Sequence, residues 1–118
     1  MKRVLIVMGD ATAAAETEQA MHSAGHWPVS RARCFQSAMA AIDGNHVDLA
    51  IVDTQLTDGS DGAEVARVLK MHYDVDVIMI SDDARANKTV MDIEHRFVQK
   101  PVEVEILVNL AGPASEAA

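Results

Sequence analysis

The sequence predicts an α/β domain in which a five-stranded parallel sheet carries helices on both faces. Strand-type and helix-type patterns alternate along the 118 residues, the order that builds parallel crossovers. Three strand segments, 4–8, 49–52 and 77–80, are uninterrupted apolar runs, as strands covered on both sides require. The other two, near 29–34 and 96–99, are polar or short and suit sheet edges.

Val4 to Met8 is the first strand, apolar and rich in β-branched residues. Residues 12–24 form a helix with Ala14, Thr17, Met21 and Ala24 on one face, stopped by Gly25. Val29 to Cys34 mixes apolar residues with Arg31 and Arg33, an edge pattern, and Trp27-Pro28 before it reads as loop packing. Phe35, Met39 and Ile42 recur at helical spacing before Gly44-Asn45. The buried strand 47–53 follows, delivering Asp53 to its C-terminal end, with turns at Asp58-Gly59 and Asp61-Gly62. Val65, Val68, Leu69 and His72 mark a third helix, and Val77 to Ile80 a fourth strand. A weaker helical pattern, Ala86, Val90 and Ile93, leads to a short strand over 96–99. After Lys100-Pro101, Val104, Leu107, Val108 and Ala111 form the stripe of a final helix, which Gly112-Pro113 ends. The domain is expected over 1–111 and a flexible tail over 112–118.

Placing the polar second strand outermost gives the order 2-1-3-4-5, the flavodoxin-like doubly wound sheet. Strands one, three and four then become central neighbours. Their C-terminal ends, where such folds place ligands, bring Asp10, Asp53 and Ser81 into one crevice, joined by Lys100 from strand five.

Composition narrows the function. One domain of this length buries a real core, here of Val, Ile, Leu, Ala and Met. A net charge of −8 without a basic run argues against direct nucleic-acid binding, which needs clustered Lys or Arg. A single cysteine, Cys34, rules out an internal disulfide and a thiolate metal cluster. The N-terminal apolar run is too short for a signal core, and no run is long enough to span a bilayer. A soluble, cytoplasmic protein without membrane contact is the expectation. His22, His26, His46, His72 and His95 show no metal-type pairing, and the Asp-Gly turns lack a P-loop's Gly-Lys-Ser/Thr.

Leu49-Ala-Ile-Val-Asp53 with Gly59 and Gly62 downstream, Val77-Ile-Met-Ile-Ser81, and Phe97-Val-Gln-Lys100-Pro101 occur in that order. Over residues 3–111 the chain thereby resembles the receiver domain of two-component response regulators. The resemblance implies that Asp53 is the phosphoacceptor, attacking a phosphohistidine to form an acyl phosphate. It implies that Lys100 is the fixed cation facing the phosphoryl oxygens, with Ser81 and Phe97 as the switch pair and a Lys-Pro peptide commonly cis. Gln55 and Asp83 would flank the phosphoryl group, where an amide and an acid orient an attacking water. Implied partners are a sensor histidine kinase or phosphotransfer protein and a downstream protein, or an output domain; a homodimer fits family habit. Any catalysis would be self-phosphorylation and dephosphorylation at Asp53.

The departures from the pattern are specific. The first strand of such domains usually ends in two adjacent acids, the second of which binds Mg²⁺; here Met8 and Gly9 stand there, followed by Asp10. The remaining candidate ligands for Mg²⁺ are Asp10, Asp53 and the backbone carbonyl of Gln55. A missing charge at ~4 Å with an effective dielectric of ~20 removes about 4 kcal/mol before screening, so weakened metal binding is expected. For Asp10 the competing role is a helix N-cap. Thr57 replaces a usual Pro, Asp82 a usual small residue, and the stretch from Ser81 to Lys100 is shortened, which curtails the fourth helix. These features keep two alternatives open: a phosphorylation-independent pseudo-receiver that binds proteins, and a flavodoxin-like cofactor domain.

Overall fold

The computed structural model describes residues 1–113. Its strands are β1 (Arg3–Val7), β2 (Trp27–Ala32), β3 (Leu49–Asp53), β4 (Asp76–Ser81) and β5 (Arg96–Gln99). The helices are α1 (Ala11–Ser23), α2 (Phe35–Ile42), α3 (Gly62–Tyr73) and α4 (Val104–Ala111), with a 3-10 helix at Ala84–Val90. All strands are parallel, in the predicted order β2-β1-β3-β4-β5.

Strand alternation explains the continuous apolar runs. Val4, Ile6, Leu49, Ile51, Ile78 and Ile80 point to one face, where Ala14 and Met21 of α1 and Leu107 and Ala111 of α4 cover them. Leu5, Val7, Ala50, Val52, Val77 and Met79 point to the other, beneath Ala38 and Ile42 of α2 and Val65, Ala66 and Leu69 of α3. Since fully burying one such aliphatic side chain is worth ~1.5–3 kcal/mol, a one-residue slip of a central strand would forfeit no apolar contact class but would swap both cores at once. Register is therefore set by side-chain shape on both faces and by the polar residues at the strand ends.

The starts of α1, α2 and α3 are capped by residues that end up around the strand ends. Asp10 caps α1, Cys34 caps α2 and Asp61 caps α3, each accepting from main-chain amides of the first turn. His26, buried at 2 % exposure, accepts from Lys2 N at Nδ1 (3.1 Å) and reaches Gly112 O through Nε2 (2.8 Å), joining the two ends of the described chain. These bonds make it the N–H donor at Nε2, a structural histidine.

Two elements differ from the sequence reading. β2 starts at Trp27, two residues early, and Trp27 is half exposed as a strand residue instead of packing in a loop. Pro28 is tolerated because the strand is an edge, and the ladder slips there, with Val4 opposite Pro28 and Leu5 opposite Ser30. The Ala86–Val90–Ile93 pattern forms a 3-10 helix over Ala84–Val90, with Val90 and Ile93 still buried. A 3-10 turn rises ~2.0 Å per residue against ~1.5 Å in an α-helix, so it spans more distance in a shortened crossover. α4 ends at Ala111, followed by Gly112 at a positive φ of 83°. The tail expected over 112–118 lies outside the described residues from 114 onward.

Candidate functional site

β3 is buried along its whole length, so Asp53 is brought by its own strand into the interior edge of the sheet, at 6 % exposure. A buried carboxylate needs partners. Its Oδ2 lies 2.6 Å from Lys100 Nζ, and its Oδ1 accepts from Gln55 N at 2.9 Å. Lys100 is aimed by the main chain: its amide donates to Ser81 O at 2.8 Å, one step beyond the Ser81–Gln99 pairing of β4 and β5. The peptide between Lys100 and Pro101 is cis.

Ser81, 1 % exposed, closes β4 on the opposite face of the sheet from Ile80. Its Oγ accepts from Thr54 Oγ1 at 2.8 Å and from Asp83 N at 3.1 Å, which leaves its own proton to donate. Phe97 in β5 is half-buried and packs against the α2–α3 core beside its strand neighbour Met79. The loop after Asp53 is pressed close to the strand: a Cβ on Gly62 would lie 2.0 Å from Asp53 O, so only glycine lets α3 begin there.

The other sequence candidates stand further out. Asp10 is exposed; its Oδ1 accepts from Thr12 N (2.9 Å) and Ala13 N (3.2 Å). Gln55 is exposed and contributes its main-chain amide to Asp53 and its main chain to an antiparallel bridge with Asp61. Asp83 caps the 3-10 helix and pairs with Arg85 at 3.0 Å, and these bonds hold its carboxyl below the ordinary carboxylate range. The structure thus joins Asp53 to Lys100 and Ser81 to Thr54, and turns Asp10 and Asp83 toward local main-chain amides.

A cavity of about 450 Å³ opens beside Asp53 and Lys100 on the α1–α4 face. Its floor is hydrocarbon from Met8, Ala13, Ile80, Val102 and Leu107, with Asp10, Glu16 and Asp82 among its lining. A larger hollow of about 710 Å³ lies at the other end of the sheet, near Lys2, Asp48 and Asp76. The first lies at the carboxyl ends of the strands, where doubly wound sheets place their ligands.

The family model described as response regulator receiver domain matches residues 4–111. The chain belongs to that family. Receiver domains take part in two-component signalling, exchanging contacts with kinases or phosphotransfer proteins and with downstream partners. The heme response regulator HssR of Staphylococcus haemolyticus is 39% identical over 80 residues, covering 62% of this chain and 34% of that protein. HssR of Staphylococcus aureus is 36% identical over 76 residues, with the same shares of 62% and 34%. The chain therefore spans about a third of the length of these curated relatives.

Among solved structures, the response regulator PhyR from Brucella abortus superposes with a TM-score of 0.83 at 27% identity, covering 98% of this chain and 49% of that one. A CheY-like receiver from Methanospirillum hungatei gives 0.80 at 23% identity, covering 94% and 90%, which speaks for the fold alone. No helix among the described residues is long and apolar enough to cross a membrane.

Receiver domains generally bind Mg²⁺ in an acidic pocket beside the phosphoacceptor position. Here the side chains at the end of β1 are a thioether and a hydrogen, and among the described residues no three Asp, Glu, His or Cys side chains are grouped to hold a metal. The residues present do not make the usual Mg²⁺ site.

Proposed function

We propose that this receiver accepts a phosphoryl group on Asp53 from a histidine kinase or phosphotransfer protein and transmits the change through protein contacts. The observation carrying this reading is the 2.6 Å pair of Lys100 Nζ and Asp53 Oδ2 at the carboxyl end of β3. An ammonium there faces the oxygen that would act as nucleophile and stands ready to follow charge as it moves outward.

In the transfer a carboxylate oxygen of Asp53 attacks phosphorus, the P–N bond to the donor imidazole breaks, and the imidazole leaves with that electron pair. The carboxylate loses its charge on becoming an acyl phosphate, and Lys100 re-pairs with the phosphoryl oxygens. This is positioning and charge neutralisation, the main demands of phosphoryl transfer. The phosphoryl group carries about −1.5 to −2, about one unit of which replaces the charge the carboxylate loses, and the remainder, moved outward, biases the surrounding loops. Ser81 has a proton to offer the phosphoryl group, and Phe97, half-buried one strand away, would change its packing as Ser81 moves. Output would run to a protein partner or to a further domain.

Met8 and Gly9 favour a second reading, in which the same fold serves as a protein-interaction module without phosphorylation. The two are separated by incubating the protein with a small-molecule phosphodonor, then with phosphorylated kinase or phosphotransfer partners, and measuring intact mass. A gain of one phosphoryl group that disappears in Asp53→Asn supports phosphoacceptance. Wild type and Asp53→Asn both staying unmodified with every donor would leave the interaction module.

A further inference from the structure

We infer that Met8 and Gly9 have removed the divalent-metal site beside Asp53, leaving Lys100 as the cation that serves this carboxylate. The inference stands whether or not Asp53 is ever phosphorylated.

Charge is the first ground. Asp53 is already neutralised by Lys100 at 2.6 Å, and both of its oxygens are engaged, Oδ1 by Gln55 N at 2.9 Å. A divalent ion would need about two further negative charges close by, and the end of β1 supplies none. Asp10, Glu16 and Asp82 line the adjoining cavity but are exposed, so solvent screens them.

Ligand chemistry is the second. Met8 is buried at 5 % exposure, and its sulfur takes a contact from Thr17 Oγ1 at 3.7 Å in the hydrocarbon floor of the cavity. Mg²⁺ demands hard oxygen ligands in near-octahedral array, which a thioether does not provide. Asp10 is held to α1 by two amide bonds.

Space is the third. At Gly9 the β1–α1 and β3–α3 loops approach so closely that an added Cβ would lie 3.1 Å from Gln55 O and 3.4 Å from Thr57 N. The Gln55 carbonyl, the one main-chain ligand expected of this pocket, therefore sits against glycine backbone. A carboxylate at position 9 would have to push the 55–57 segment outward by a few tenths of an ångström.

The test is a titration of wild type and two variants with MgCl₂ at fixed ionic strength, following the amide resonances of Gly9, Asp53 and Gln55 by heteronuclear NMR. No phosphodonor is present, so failure of the phosphoacceptor reading cannot be mistaken for failure of this one. Wild type should show no saturable shift through the low-millimolar range. Met8→Asp/Gly9→Asp should bind at least ~10-fold more tightly, and Met8→Asp alone, which adds nothing against Gln55 O, should bind measurably. Saturable low-millimolar binding by wild type overturns the inference. Silence from both folded variants would overturn the assignment of the loss to these two residues.

Discussion

Thr54 Oγ1 donates to Ser81 Oγ at 2.8 Å, linking the residue after the β3 carboxylate to the last residue of β4. The same hydroxyl oxygen accepts from Asp83 N at 3.1 Å, so one buried atom fixes the β3–α3 loop and the start of the 3-10 segment together. On the other face of the sheet, Lys100 joins β5 to Asp53. Two polar ties, one per face, thus hold the carboxyl ends of β3, β4 and β5. Any event that pulls Ser81 or Lys100 toward a group on Asp53 must loosen one of them.

Ser81→Ala removes an acceptor from two buried or half-buried donors. It should destabilise the domain by about 1–2 kcal/mol, read as a lower urea midpoint at unchanged slope. Thr54→Val, which deletes one of the orphaned donors, should cost less in the Ser81→Ala background than in wild type, because the two share one bond.

The Asp53–Lys100 pair should behave asymmetrically. Lys100→Met leaves a carboxylate at 6 % exposure with a single main-chain partner and should cost about 1–2 kcal/mol, the half-exposed lysine end being partly screened. Asp53→Asn leaves a lysine free to reach solvent and should cost less. In a double-mutant cycle by chemical denaturation, Lys100→Met should be nearly neutral once Asp53 is Asn.

How much of this was legible depends on what kind of interaction made it. β1, β3 and β4 could be read directly, because burial on both faces forces continuous runs such as Leu49–Val52. The meeting of Asp53 and Lys100 follows from strand order, since β3 and β5 flank β4 in parallel and all three end at the same edge of the sheet. β2 begins two residues before the sequence pattern suggests because Trp27-Pro28 looks like a loop; edge position and a slipped ladder are tertiary facts. The 3-10 form of Ala84–Val90 was hidden because periodicity registers which residues are buried, and Val90 and Ile93 are, not how tightly the backbone winds. The Thr54–Ser81 bond and the approach of Gly9 to Gln55 O depend on loop paths, and the sequence signal for them, a hydroxyl after Asp53 and a glycine after Met8, is common elsewhere. His26 likewise gave no sign of its two cross-chain bonds.

Two glycines separate close packing from backbone strain. Gly62→Ala puts a methyl group 2.0 Å from Asp53 O, where the obstruction is main chain and cannot rotate away. It should cost ~3 kcal/mol or more and disturb the amide signals of Asp53 and Gln55. Gly59 has nothing within 4 Å of its would-be Cβ but a φ of +76°. Gly59→Ala should therefore cost only about 1–2 kcal/mol, from the left-handed conformation alone. Equal losses at the two sites, by thermal or chemical denaturation, would contradict the crowding at Gly62.

Asp48 gives a pH signature at the opposite end of the sheet. Partial burial alone would raise its carboxyl, but hydrogen bonds accepted from Arg3 N (2.8 Å) and from His46 Nε2 (2.7 Å), with the nearby positive charges, outweigh it and hold the carboxyl below its ordinary value of 3.8. A carboxyl depressed in the folded state stabilises that state fully above its unfolded value. That contribution fades as pH falls through the unfolded and then the folded value, because the protonated acid is a weaker acceptor. Asp48→Asn keeps the shape and removes the charge. It should be less stable than wild type by about 0.5–1 kcal/mol near neutrality, and the gap should close as pH drops below the ordinary carboxylate range. Urea midpoints of both proteins across that range measure it, and a gap that widened in acid would mean that the Arg3 and His46 bonds do not favour the ionised form.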